Sequence, residues 1–214
     1  MADYDHPQFA SPPCFMHELD PAFRAETEDD QAAYDVSRWR KAQRERLIAE
    51  RLAIPAEERT RLAGLIADRL DKEAGDPNGR IFSFYWPFRG EPDLRPWMQL
   101  VIDRGGRIAL PVVIAKGEPL EFRLWSPGDK LERGIWNIPV PAAGEPVAPD
   151  IVISPLVGVD AARYRLGYGG GFYDRTLAAM ATRPLVIGVG YASARLATIY
   201  PQWHDVPMGR VIVV

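Results

Sequence analysis

Arg165–Arg175 reads RLGYGGGFYDR, with glycine at 167, 169, 170 and 171. Glycine loses the most backbone entropy on folding, and is useful where φ must be positive or another group must come close to the main chain. The run before it, DIVISPLVGVD (Asp150–Asp160), is apolar like a buried strand, and FYDRTLAAM after it reads as the first turns of a helix. Strand, glycine loop and helix start form a concavity for an anion: successive N–H groups point inward and the helix end adds partial positive charge. Arg165 and Arg175 flank the loop with guanidinium groups suited to phosphate oxygens. Asp174 stands in the first helical turn, where a carboxylate favours the helix end or, beside phosphate, holds Mg²⁺. A glycine-rich hairpin or bulge is the alternative, but it accounts for neither the arginines nor the aspartate. No lysine follows the glycines, so this is not a P-loop, and Phe172 replaces the last glycine of a dinucleotide turn.

Working outward, strand and helix signals alternate over residues 37–214, which predicts an α/β domain with a largely parallel sheet covered on both faces. SRWRKAQRERLIAERL (Ser37–Leu52) predicts a helix capped by Ser37, with Arg40 and Arg44 on one face and Arg51 nearly aligned with them. A second helix is expected between Pro55 and Gly75, with Leu62, Leu65, Ile66 and Leu70 as its core stripe. RIFSFYWPF (Arg80–Phe88) is apolar on both faces and predicts a buried parallel strand. Trp86 lies near its end and Glu91 just beyond, where ligands bind in open α/β sheets. Asp93–Arg104 reads as a helix, RIALPVVI and PLEFRLW as strands, and Ser126–Pro149 as a long irregular loop. PLVIGVGY predicts another buried strand, and His204–Asp205 precedes the last one.

The glycine motif resembles the phosphate loop of the 5-formyltetrahydrofolate cyclo-ligase family, R-L-G-Y-G-x-G-Y-Y-D. The resemblance extends over nearly all of residues 37–214 and implies a Rossmann-like three-layer α/β/α fold. It implies an ATP- and Mg²⁺-dependent ring closure, in which the formyl oxygen of 5-formyltetrahydrofolate attacks the γ-phosphate of ATP. The neighbouring folate nitrogen then displaces the phosphate, giving 5,10-methenyltetrahydrofolate, ADP and phosphate. Such chemistry depends on positioning and charge neutralisation more than on a protein nucleophile. On this resemblance Arg40 and Arg44 contact ATP together with Arg165, Gly167, Tyr168, Gly169, Gly170, Gly171 and Tyr173. Arg165 and Arg175 assist phosphoryl transfer, and Asp174 and Asp205 hold the metal. Trp86, Glu91, Tyr168 and Phe172 face the reduced folate. One departure stands out: the family's glutamate–proline pair is IPVP here, so Val140 occupies the glutamate's place. A relative acting on another acceptor, or a nucleotide-responsive regulator, therefore stays open beside the cyclo-ligase reading.

Residues 1–36 differ in character, with nine acidic residues, one basic residue (Arg24) and four prolines. They predict an acidic, weakly ordered N-terminal arm ahead of the 37–214 domain. Within it Cys14, Phe15, Met16 and Leu19 can dock on a surface, and Cys14, His17, Glu18 and Asp20 make only a weak metal pattern. The net charge of −3 makes no case for nucleic acid. One cysteine, no long apolar run and no signal-peptide pattern lead to the expectation of a soluble, cytoplasmic protein.

Overall fold

The computed structural model describes residues 21–214. The chain divides into two compact units, Met1–Trp39 and Arg40–Val214. Helix α1 runs Pro21–Ala53, so Ser37 is an interior residue rather than a cap. Proline suits a first helical position, and the Ala, Glu and Gln that follow are strong helix formers, so acidity did not forbid helix here. The apolar docking residues and the metal pattern at 14–20 lie outside the described residues.

Helix α2 (Ala56–Ala74) follows Pro55, carries Glu57 and Glu58 in its first turn and closes at Gly75, whose φ is 76°. Its buried stripe is Ala63, Ile66, Leu70 and Ala74. Leu65, expected in that stripe, is 40% exposed, because the face turned to the sheet is the one centred on Ile66 and Leu70.

The main sheet is built from β1 (Ile81–Ser83), β2 (Arg107–Val113), β3 (Leu120–Trp125), β6 (Ile151–Pro155), β9 (Leu185–Gly190) and β10 (Arg210–Val213), in the order β10-β9-β6-β1-β2-β3. All pairs are parallel except β2–β3, a hairpin at one edge. The expected strand at 80–88 is shorter, since after Ser83 the chain leaves the ladder and carries Trp86 and Phe88 beyond the sheet. Helix α3 (Arg95–Asp103) leads from there into β2.

Strand residues alternate between two buried layers, as a sheet covered on both faces requires. Ile151 and Ile153 join Ile66 and Leu70 of α2 and Trp97 and Met98 of α3. Val152 and Val186 join Leu177 of α4 (Phe172–Ala179) on the opposite face. The three-layer α/β/α expectation is met. Gly188 and Gly190, which superficially suggest a dinucleotide turn, lie within β9; a Cβ at Gly188 would strike the Met208 sulfur. Among the described residues no helix is long and apolar enough to cross a membrane.

Two features position the site. From β1 the chain moves outward to β2 and β3, then returns to the other side of β1 as β6 and continues through β9 to β10. β1 and β6 therefore flank the point where strand order reverses, and crevices at such points bind ligands. The second feature lies inside the stretch expected to be irregular. β4 (Leu131–Arg133) and β5 (Pro139–Pro141) form an antiparallel hairpin, with Glu132 opposite Val140. Two prolines in three residues hid β5, yet a two-stranded ribbon has only outer edges, where proline is tolerated.

Candidate active site

A cavity of about 300 Å³ opens at the carboxyl ends of β1 and β6. The chain after β1 contributes Trp86, Phe88 and Glu91, and the glycine loop contributes residues 165–171. Arg40 and Arg44 enter from α1, Asp205 from the segment before β10, and Trp136 and Val140 from the β4–β5 hairpin. The last turns of α1 are fastened to this end of the sheet through Leu47, which packs with Val157, Leu166 and Ile199.

One half of the cavity is cationic. β8 (Arg165–Leu166) pairs with β7 (Gly158–Val159) and delivers Arg165 to the start of the loop. Gly169 and Gly171 have φ of 94° and 63°, left-handed conformations that explain two of the four glycines. At Gly167 a Cβ would lie 2.6 Å from the tip of the Arg165 side chain, which would have to shift. Arg44 donates from Nε to the Gly167 carbonyl at 2.7 Å. Burial and the charge of Arg40 pull the Arg44 pKa below its usual range, partly offset by Asp205.

The two aspartates lie among these arginines. Arg40 Nη2 donates to Asp205 Oδ2 at 2.5 Å, and Arg165 Nη2 lies 3.2 Å from Asp174 Oδ2. The Val206 amide donates to Asp174 Oδ1 at 3.2 Å, which brings the loop aspartate to the backbone beside Asp205. Burial pushes the Asp205 carboxyl upward, but hydrogen bonds from Arg40 and the Gln202 amide, with the Arg40 charge, hold it below the ordinary range. No group of three or more His, Cys, Asp or Glu side chains suited to a metal occurs among the described residues. A hard cation that takes phosphate oxygens and waters needs only one or two carboxylates; here Asp205 is engaged by Arg40 and Asp174 by Arg165.

The other half is aromatic around a single carboxylate. The rings of Phe88 and Trp136 are nearly parallel at 6.1 Å, and Tyr168 meets both, at 5.9 and 5.8 Å. Glu91 is 6% exposed, and burial raises its pKa to about 7 against the opposing charge of Arg51. Tyr168 donates to Glu91 Oε1 at 2.8 Å, and the Phe88 amide donates to Oε2 at 3.0 Å.

Arg40, Arg44, Trp86, Glu91, Arg165, the four loop glycines, Tyr168, Phe172, Tyr173, Asp174 and Asp205 all line this one cavity. Arg175 is not among the lining residues. It donates to the Gly170 carbonyl and lies over the Phe172 ring, fastening the loop to α4. Both of these contacts are local. Val140 lines the wall where a glutamate is expected, and Glu132, its cross-strand partner, lines it too. Phe88 and Trp136 were missed. Their only sequence signal was aromatic density at FYWPF and a tryptophan before IPVP.

Residues 36–214 match the model of the 5-formyltetrahydrofolate cyclo-ligase family. A 5-formyltetrahydrofolate cyclo-ligase of Mycolicibacterium smegmatis is 32% identical over 146 residues, covering 63% of this chain and 74% of that protein. One from Escherichia coli K12 is 36% identical over 138 residues, covering 58% and 72%. The solution structure of Aquifex aeolicus 5,10-methenyltetrahydrofolate synthetase aligns with a TM-score of 0.70 at 27% identity, over 81% of this chain and 89% of that one. With the family model spanning the whole sheet and every residue of the cavity, the chain belongs to the 5-formyltetrahydrofolate cyclo-ligase family.

Proposed function

We propose that the protein closes the ring of 5-formyltetrahydrofolate to 5,10-methenyltetrahydrofolate, using ATP and Mg²⁺ and releasing ADP and phosphate. The observation that carries this reading is the division of one cavity into a cationic, glycine-lined half and an aromatic half around a buried carboxylate. The triphosphate lies along Arg40, Arg44, Arg165 and the loop amides, whose fixed positive charge meets the charge that spreads over the transferred phosphoryl group. Asp174 and Asp205 would hold Mg²⁺, which would neutralise phosphate charge. The pterin packs against the Phe88, Trp136 and Tyr168 cluster, and Glu91 accepts a proton from the folate nitrogen as it attacks the formyl carbon. That nitrogen must lose its hydrogen to reach the methenyl product, and a base with pKa near 7 is well matched to the task. A different acceptor is suggested by Val140 and by the added N-terminal arm. Glu132 supplies a carboxylate to the same wall, so the reduced folate is retained. The cyclo-ligase domain spans residues 37–214 after an acidic N-terminal arm of residues 1–36, and the enzyme works in the cytoplasm.

Mixing the protein with MgATP and 5-formyltetrahydrofolate should produce methenyl absorbance that requires both ATP and the metal. Nucleotide binding without any effect of the folate on ATP hydrolysis would defeat the proposal.

A second expected result concerns the aspartates. Asp174→Asn and Asp205→Asn keep shape and remove one charge each, so both variants should fold. Each should raise the Mg²⁺ concentration needed for turnover by roughly tenfold, the consequence of losing about 1.4 kcal/mol of binding. The double variant should lose less than the sum, because the pair acts as a unit. Lower stability with an unchanged Mg²⁺ requirement would make them ordinary capping and loop carboxylates.

A further inference from the structure

Arg51 is 4% exposed, and the reaction outlined above gives it no task. Its Nε donates to the Arg89 carbonyl at 2.9 Å, Nη1 to the Leu156 carbonyl at 3.1 Å, and Nη2 to the Tyr168 hydroxyl at 2.5 Å. These bonds tie the chain after β1 and the end of β6, the two sides of the crevice, to the tyrosine between them.

A guanidinium can only donate. The Tyr168 oxygen therefore accepts from Arg51, and its single proton is committed to Glu91 Oε1. The Phe88 amide donates to the other carboxylate oxygen. The direction of the whole chain is thus set at its arginine end, and Glu91 is held as an acceptor at both oxygens, the pattern of an ionised carboxylate. Burial works against this by favouring the neutral acid.

We propose that Arg51 is a positioning residue that, through Tyr168, keeps Glu91 a hydrogen-bond acceptor on the cavity wall, ready to receive the folate proton. The use of that proton rests on the cyclo-ligase reading, whereas the polarity of the chain rests on the three residues alone. The charged and titratable groups around Glu91 are Arg51 on α1, Tyr85 and Tyr191 beyond β1 and β9, Arg165 on β8, Tyr168 in the loop and Tyr173 on α4. Only Arg51 and Arg165 are cationic; Arg165 is paired with Asp174 and acts on Glu91 less strongly than Arg51 does. Without Arg51, Tyr168 can turn its hydroxyl and accept from a protonated Glu91, so the neutral acid becomes as well accommodated as the anion.

The test is an infrared titration of the full-length protein without ligands, with the Glu91 carboxyl band assigned by its loss in Glu91→Gln. The wild-type midpoint is expected near 7. Arg51→Gln should move it up by roughly one unit or more, for loss of a nearby opposite charge. Tyr168→Phe should also move it up, and Arg51→Lys should recover part of the shift. The acid limb of the kcat/KM profile for the folate should follow the same displacement. A folded Arg51→Gln protein whose Glu91 titrates as in the wild type would overturn the proposal. Should Arg51→Gln fail to fold, an unchanged midpoint in Tyr168→Phe does the same. If the wild type turns over no folate, the reading of the reaction fails, and the infrared midpoints still decide the role of Arg51.

Discussion

Glu91→Gln should lower kcat/KM by on the order of 10²–10⁴, the range a positioned acid or base contributes, while altering how stability depends on pH. The native carboxyl has its pKa raised from 4.5 to about 7, chiefly by burial. A raised carboxyl pKa means that the native state holds its proton after the unfolded state has lost it. The group's contribution is therefore complete below about pH 4.5 and drains away as pH rises through about 7. At about 1.4 kcal/mol per unit, the loss over that window is about 3 kcal/mol at most. Glutamine has no such titration. Urea unfolding of both proteins at pH 4.5 and 8 should show wild type losing about 2–3 kcal/mol relative to the variant as pH rises. A variant within tenfold of wild-type turnover removes Glu91 from the chemistry. Parallel stability curves would mean that the carboxyl titrates normally.

The largest effect on stability is expected at Phe82. Its side chain is fully buried, with Trp97 edge-on at 6.1 Å and Phe84 at 6.5 Å. It pairs in register with Ile108 on one side and Ile151 on the other. Phe82→Ala removes a ring from the middle of the sheet, where neighbours on three elements cannot all collapse inward, so a cost of about 3–5 kcal/mol is expected. That is a large share of the 5–15 kcal/mol typical of a domain, and it should lower the melting temperature by roughly ten degrees or more. Leu65→Ala, on the exposed side of α2, is the control and should change stability by only about 0.5 kcal/mol. Equal losses at the two positions would mean that the core is not centred on β1.

Much of this arrangement is legible in the residues because it depends on local pattern. Doubly buried strands read as continuous apolar runs, and the glycine loop announces itself by composition. Glu91 stands out through the family resemblance; a carboxylate past a strand end reads equally as an ordinary loop residue. What stayed hidden depends on partners distant in sequence. Arg51 shares a face with Arg40 and Arg44, but only the fold reveals that it is buried against residues 89, 156 and 168. Ser37 has cap chemistry, yet whether a helix starts there depends on what precedes it. Arg175 was assigned to phosphate by spacing, although its closest acceptor is a carbonyl of its own loop. The β4–β5 hairpin escaped because prolines usually mark breaks, and here they occupy free edges.

The order of the strands also governs how fast a working enzyme can form. Within the main sheet only β2–β3 joins neighbours through a short turn; Phe82 must find Ile151, and β9 must find β6 across the glycine loop and α4. Helices relax on the order of a microsecond, whereas pairings between distant segments carry loop-closure entropy and place such topologies on the order of milliseconds to seconds. Glu91 hangs from the end of β1, the loop from β6, and Asp205 from the chain between β9 and β10. A refolding chain should therefore regain its helical signal well before any catalysis, because the candidate site is assembled from segments distant in sequence.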